Sequence, residues 1–248
     1  MNLKKIVAPL PDGRHNASMA ACNGTVYLSG LTAPGETVQE QVSAIFAYCE
    51  KLFAENGWRR EDILMITAFL SDLSQADGYE EIWQPRLSRE NPPTSIRLGA
   101  LLPEGRLAEI SLLLADRPYF EKEGKEMNIQ RIDHRDTSCS RFVIHNGLAY
   151  FTDHVARTGT TLEEQSKALF ARFDELFGIY GLKRENMVFC YTYLADMAEQ
   201  PLYDRLFGEW VGENPPAGIC LESKMNEGYR LAVSVTVALD EDWKGEAQ

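Results

Sequence analysis

Apolar runs in this sequence are short. Ile63-Leu64-Met65-Ile66 is typical, far below the roughly 20 residues that cross a bilayer, so no membrane partner is expected. The stretch Met1-Asn2-Leu3-Lys4-Lys5-Ile6-Val7 soon meets Pro9 and Pro11 and lacks an apolar segment of signal-peptide length. Five cysteines (Cys22, Cys49, Cys139, Cys190, Cys220) are odd in number, widely spaced and form no C-x-x-C pair, which fits a cytoplasmic protein rather than a disulfide scaffold. The four histidines, His15, His134, His145 and His154, show no metal-ligand spacing, and no metal or cofactor is expected. No G-x-G-x-x-G is present, since Gly30 and Gly35 read as turn residues. Runs of Lys or Arg are also missing. With 25 basic against 37 acidic side chains the net charge is −12, which repels nucleic-acid phosphates. What remains is an ordinary soluble globular composition, 44% apolar and 25% charged over 248 residues: one large domain or two small ones.

A near-repeat decides for two. Asn23-Gly24 and Tyr27 recur as Asn146-Gly147 and Tyr150 at a step of 123. Glu40-Gln41, Ala44, Phe46, Leu52-Phe53, Gly57 and Arg60-Glu61 recur as Glu164-Gln165, Ala168, Phe170, Leu176-Phe177, Gly181 and Arg184-Glu185 at 124. Glu90-Asn91-Pro92-Pro93 recurs as Glu213-Asn214-Pro215-Pro216 at 123, and Arg106-Leu107-Ala108 as Arg230-Leu231-Ala232 at 124. Collinear matches with small slips at turn-like positions indicate a tandem duplication. The expected domains are 1–118 and 128–248, joined by a charged linker at 119–127 that contains Glu121 to Glu126.

Each repeat has one pattern. A strand after an Asn-Gly turn (Thr25 to Ser29) leads to an amphipathic helix closed by Gly57, or by Gly181 in repeat 2. Strands follow at Ile63 to Leu70 and Met187 to Leu194, apolar enough to suggest burial on both faces. A second helix ends at Asn-Pro-Pro, where proline cannot continue it. Two last strands are expected at Ser95 to Leu98 and Leu107 to Ala115, and at Ile219 to Glu222 and Leu231 to Leu239. A further one lies at Ser18 to Cys22, with its partner at Cys139 to Ile144. The fold class is α+β, each domain a mixed sheet with two helices on one face. The other sheet face is too apolar to be wetted, which predicts sheet-to-sheet contact between domains or chains.

Tyr27-Leu28-Ser29-Gly30, Gln41, Gly57, Phe69-Leu70-Ser71-Asp72, Tyr79, Pro92-Pro93, Leu102-Pro103-Glu104-Gly105 and Glu109-Ile110 together resemble the RidA/YjgF family, also called endoribonuclease L-PSP. The resemblance covers residues 15–116 and, more weakly, 138–240. It implies a chorismate-mutase-like fold, duplicated in tandem here. It also implies sheets associated three at a time with ligand clefts between them, so that six domains would make a homotrimer. The implied activity is hydrolysis of reactive imines and enamines to a 2-oxo acid and ammonia, with no cofactor. A guanidinium would grip the substrate carboxylate and an acidic residue would move the proton.

On that resemblance the catalytic candidates are Glu109, at the family's acidic position, and Arg97. The family's arginine position holds Thr94 or Ser95 in repeat 1 and Gly218 in repeat 2. Arg97 lies two residues beyond Ser95 and shares its face of a strand, so it could supply a guanidinium from a shifted position. Alternatively it is a structural arginine paired with an acidic neighbour. Glu109 has the same alternatives, a structural ion pair or an exposed strand glutamate. Ser29, Ser95, Thr94 and Asn16 are the substrate-binding candidates, although Ser29 could equally close a turn. Arg106 and Arg230, present in both repeats, read as structural. Repeat 2, with Thr152-Asp153 in place of Ser29-Gly30 and Val233 in place of the acid, reads as degenerate, and Cys220 as a buried thiol at a pocket-facing family position. Three readings compete with the imine hydrolase: a non-catalytic binding protein for a small carboxylate, a ribonuclease, which the charge disfavours, and chorismate-type chemistry, which a shared fold cannot license.

Overall fold

The computed structural model describes residues 3–7, 17–87, 90–133, 139–156 and 158–243. Contacts divide the chain into two compact units, Met1–Asn146 and Gly147–Gln248.

In the first unit, strands β1 (Leu3–Val7), β2 (Ala17–Cys22) and β3 (Thr25–Leu31) precede helix α1 (Val38–Asn56). Strand β4 (Ile63–Leu70), helix α2 (Ala76–Trp83) and strands β5 (Thr94–Gly99) and β6 (Ala108–Ala115) complete the repeat. The sheet order is β1-β2-β3-β6-β4-β5, with β4 and β5 parallel and the other pairs antiparallel. After it come helix α3 (Arg117–Glu123) and strands β7 (Ile129–Ile132) and β8 (Phe142–His145). The second repeat runs β9 (Leu148–His154), α4 (Leu162–Tyr180), β10 (Met187–Leu194), α5 (Gln200–Val211), β11 (Ala217–Glu222) and β12 (Leu231–Ala238). Its sheet order is β11-β10-β12-β9-β8-β7. Both repeats therefore show the β-α-β-α-β-β order expected from the sequence. Among the described strands and α-helices the differences are β1 and β7, which the patterning misses, and α3, which is helical where the composition suggests a linker.

Local chemistry sets the long helices. The Thr37 hydroxyl accepts from Glu40 N at 3.2 Å while the Glu40 carboxylate accepts from Thr37 N at 3.3 Å. Thr161 and Glu164 repeat this capping box at 3.2 and 3.1 Å. Gly57 and Gly181 close the two helices in the left-handed conformation. The helices cover one face of each sheet. Val42, Ile45, Phe46 and Cys49 of α1 and Tyr79 and Trp83 of α2 pack over Val26, Leu28, Ile66, Ala68, Ile110 and Leu112. Each such aliphatic side chain contributes about 1.5–3 kcal/mol on burial. In the second unit, Phe170 and Trp210 stack at 4.6 Å with planes 3° apart.

The opposite faces are less covered than the apolar strands suggest. Met65, Thr67 and Phe69 alternate as half-buried residues with buried neighbours, and Val188 and Tyr191 are exposed. Among the described residues no helix is long and apolar enough to cross a membrane.

Register also corrects the step between the repeats. Glu109 lies opposite Phe69, and Ala232 lies opposite Tyr193. Gln41 accepts from Leu107 N, and Gln165 accepts from Arg230 N, both at 2.8 Å. The step in the last strand is thus 123, not 124. Arg230 corresponds to Leu107, so the Arg106–Arg230 recurrence is a coincidence of neighbouring letters. The residue in the acid's place is Ala232, not Val233.

Candidate functional site

Side chains alternate between the two faces of a strand, so the pairing register sorts every candidate. Ile66, Ala68, Ile110, Leu112 and Leu28 face the helices. Met65, Thr67 and Phe69 of β4, with Glu109, Ser111 and Leu113 of β6, therefore face the other way. Ser29 joins this open face through a bulge. Leu28 pairs with Leu112 and Leu31 with Ile110, leaving Ser29 and Gly30 opposite Ser111 alone. The Ser29 and Ser111 hydroxyls lie 3.2 Å apart, and Gly30 N donates to Ser111 Oγ at 3.4 Å. Gly30 takes the left-handed φ of 65° that such a bulge needs. Glu109 lies two residues along β6 from Ser111 and is half-buried. The open face of the first sheet thus carries a polar row of Ser29, Ser111, Thr67 and Glu109, flanked by Met65 and Phe69.

Strand β5 divides the remaining candidates. Ser95 pairs with Ile66 and Arg97 with Ala68, so both point to the helix side. Thr94, Ile96 and Leu98 pair with Met65, Thr67 and Phe69 and share the face of Glu109. Thr94, not Ser95, is accordingly the one on the site side, and it is buried. Arg97 forms an ion pair with Glu80 of α2. Its guanidinium also lies 5.9 Å from the centroid of the buried Tyr79 ring. Burial pushes the Tyr79 hydroxyl pKa up, with Arg97 opposing it. The expected grouping of Arg97 with Glu109 is therefore corrected: they project from opposite faces of one sheet, and Arg97 takes the structural alternative. Asn16 lies outside the described residues, as do His15 and His134.

The second repeat presents a different open face. Phe189, Tyr191 and Tyr193 form an aromatic row, with ring centroids 4.7 and 6.4 Å apart. Thr152 and Ser234 correspond to Ser29 and Ser111, and the buried Ser234 hydroxyl has no hydrogen-bond partner among the described residues. Cys220 pairs with Thr192, whose hydroxyl bonds Tyr203 on α5 at 2.7 Å. This thiol therefore faces the helices rather than a pocket. Burial and then the charge of Asp204 push its pKa up to about 11. Burial likewise pushes Cys49 and Cys190 up to about 12 and 11, so all three are poor nucleophiles at neutral pH. His145 is a buried structural histidine whose ring nitrogens lie 3.1 and 3.3 Å from the carbonyls of Asn128 and Gly24. Burial lowers its pKa against those two hydrogen bonds. Among the described residues, no group of three or more His, Cys, Asp or Glu side chains is placed to hold a metal ion.

Chemically, the first open face offers one carboxylate to accept or give a proton, the three hydroxyls of Ser29, Ser111 and Thr67 that donate or accept, and apolar walls. Ser111 and Thr67 are the members that motif reading misses. Period-two spacing from Glu109 points to Ser111, but only the β4–β6 register brings in Thr67.

Three comparisons bear on this geometry. The endoribonuclease L-PSP family profile matches residues 5–115. A RutC family protein of Haemophilus influenzae is 31% identical over 117 residues, covering 45% of this chain and 98% of that protein. A RutC family protein of Haemophilus ducreyi is 24% identical over 104 residues, 41% and 89% of the two chains. The crystal structure of a chorismatase matches with a TM-score of 0.63 at 12% identity, over 89% of this chain and 76% of that one. This last match spans both repeats and shows that the duplicated arrangement is a known fold. A relative that is 31% identical over nearly its full length, together with the family profile over residues 5–115, establishes that the chain belongs to the RidA/YjgF, or endoribonuclease L-PSP, family.

Proposed function

We propose that this protein hydrolyses carbon–nitrogen double bonds of small imines or enamines on the open face of its first sheet. The observation that carries the reading is the placement of the Ser29–Ser111 hydroxyl pair beside Glu109 on one face. In this reading Glu109 takes a proton from water as the oxygen bonds to the imine carbon. It then returns that proton to the amino nitrogen of the carbinolamine formed from the protonated imine, and as the C–N bond breaks the hydroxyl proton passes to water, releasing ammonia and a carbonyl product. The serine hydroxyls hold the nitrogen or the attacking water. The second repeat, with Ala232 in place of the acid, acts as scaffold. A homotrimer would cover the open sheet faces and would run at about 84 kDa, three times the chain mass.

The test is carbonyl and ammonia release from imines generated in situ by an oxidase. Glu109→Gln is expected to reduce the enzyme-dependent rate about 100-fold, the usual worth of a general acid–base group. A wild type that binds imine-like ligands without accelerating release would replace this reading with the second one, a non-catalytic binding protein. The diversion of Arg97 to Glu80 is what favours that second reading.

A further inference from the structure

We infer that the imines handled by the Glu109 site carry no carboxylate beside the reacting carbon. This rests on the imine-hydrolase reading and specifies its substrate class. The first argument is the register. Strands β3, β6, β4 and β5 contain a single basic residue, Arg97, and its pairing with Ala68 sends it to the helix side. There it is engaged by Glu80 and the Tyr79 ring. The strand-borne side chains around Glu109 therefore include no cation to offset an anionic substrate, and like charges brought together disfavour binding. The second argument is composition. On the face of Glu109, Thr94, Ile96, Leu98 and Leu113 are already buried, and the accessible part consists of Tyr27, Met65 and Phe69 with the hydroxyls of Ser29, Ser111 and Thr67, a surface for an apolar substituent and a small polar head. The third is the net charge of −12, whose field favours a neutral or cationic ligand, and a protonated imine is cationic. An aldimine or ketimine of an apolar amine meets all three conditions. An imine of an amino acid does not.

Two substrates that differ only in the carboxylate provide the test. The imine of phenethylamine is made in situ by an amine oxidase, and the imine of phenylalanine by an amino-acid oxidase. Ammonia release is followed with the full-length protein, and wild type is expected to favour the phenethylamine imine at least tenfold in kcat/KM. Arg97→Ala is expected to leave that ratio unchanged. Thr94→Arg, which puts a guanidinium on the face of Glu109, is expected to move the ratio about tenfold toward the phenylalanine imine. A wild type that prefers the carboxylated imine overturns the inference while keeping the hydrolase. So does selective loss of phenylalanine-imine turnover in Arg97→Ala, a readout that stands even where the buried Thr94 site does not tolerate arginine. Acceleration of neither imine overturns the hydrolase reading, and the substrate inference with it.

Discussion

The two repeats keep the same internal polar clamps and differ on their open faces. Gln41 is buried and its amide reaches Gly35 O at 2.9 Å and Gly105 O at 2.8 Å, while its oxygen accepts from Leu107 N at 2.8 Å. Gln165 does the same with Gly159 O at 3.0 Å, Gly228 O at 2.7 Å and Arg230 N at 2.8 Å. On the open faces, by contrast, Glu109, Thr67 and Phe69 of the first sheet become Ala232, Tyr191 and Tyr193 of the second. The contrast separates two kinds of constraint. A buried amide tying three loop groups together serves the fold wherever the fold occurs. The open face answers to a ligand or a neighbour, and only one copy retains an acid there.

The clamps supply the largest expected effect. Gln41→Ala leaves the part-buried carbonyls of Gly35 and Gly105 and the N–H groups of Leu107 and Ala108 without their side-chain partner, and a buried group left in this way costs about 1–3 kcal/mol, a partly wetted one less. A loss of about 3–5 kcal/mol in the first unit is expected, with a loss within about 1 kcal/mol of it for Gln165→Ala in the second. Hydrogen exchange at the Ala108 and Leu231 amides reads the two units separately. Gln41→Glu should be nearly as harmful, because a carboxylate cannot donate to Gly35 and Gly105. A mild effect in one unit only would mean that the two clamps are not equivalent.

The hairpin turns give a smaller and deliberately unequal pair. Asn23-Gly24 has φ values of 48° and 87°, and Asn146-Gly147 has 52° and 77°. Both are left-handed pairs of the kind that join adjacent strands. A Cβ on Gly24 would lie 2.7 Å from two atoms of the Phe120 ring, whereas one on Gly147 meets nothing within 4 Å. Gly147→Ala should therefore cost only the backbone term, about 1–2 kcal/mol. Gly24→Ala adds overpacking against a buried ring, about 1–3 kcal/mol more. Denaturant midpoints of the two variants check the difference. Equal midpoints would show that α3 yields to the methyl group, making that helix a loose appendage rather than a packed part of the unit.

The two turns also show what was legible in the sequence and what was not. Asn-Gly, the Thr-x-x-Glu caps, Gly57 and Gly181, and the apolar strands at 63–70 and 187–194 are local signals, and the structure follows them closely. β1 and β7 pair at sheet edges and carry no strong alternation, so only tertiary pairing reveals them. Helix α3 is hidden because its charges resemble a linker while Phe120 packs inward against His145 at 5.3 Å. The candidate site was half legible. Glu109 and Ser29 come from motif resemblance, but face assignment needs register. Register is a long-range property, here shifted by the bulge at Ser29-Gly30 and fixed for β5 by its parallel pairing with β4. Counting by two along one strand correctly placed Ser95 with Arg97, yet it could not say which side of the sheet that was.

Arg97 gives the smallest effect and the sharpest test of the face assignment. It occupies the position of Cys220, and its partner Glu80 that of Asp204, so one position carries an ion pair in the first repeat and a thiol beside a carboxylate in the second. Arg97 and Glu80 are each about 30% exposed, so water and salt screen the pair. Arg97→Ala is expected to lower the stability of the first unit by only about 0.5–1 kcal/mol, with most of that gone in 1 M salt. Cys220→Arg should transplant the pair and raise the stability of the second unit by about 0.5 kcal/mol. Imine turnover by Arg97→Ala should remain within about twofold of wild type, because a guanidinium on the helix side cannot reach a ligand on the other face. A large loss of turnover with stability intact would return Arg97 to the site. The helix-side ion pair would then be one of two positions of a mobile arginine, and the loss of cationic character from the open face would no longer distinguish this protein.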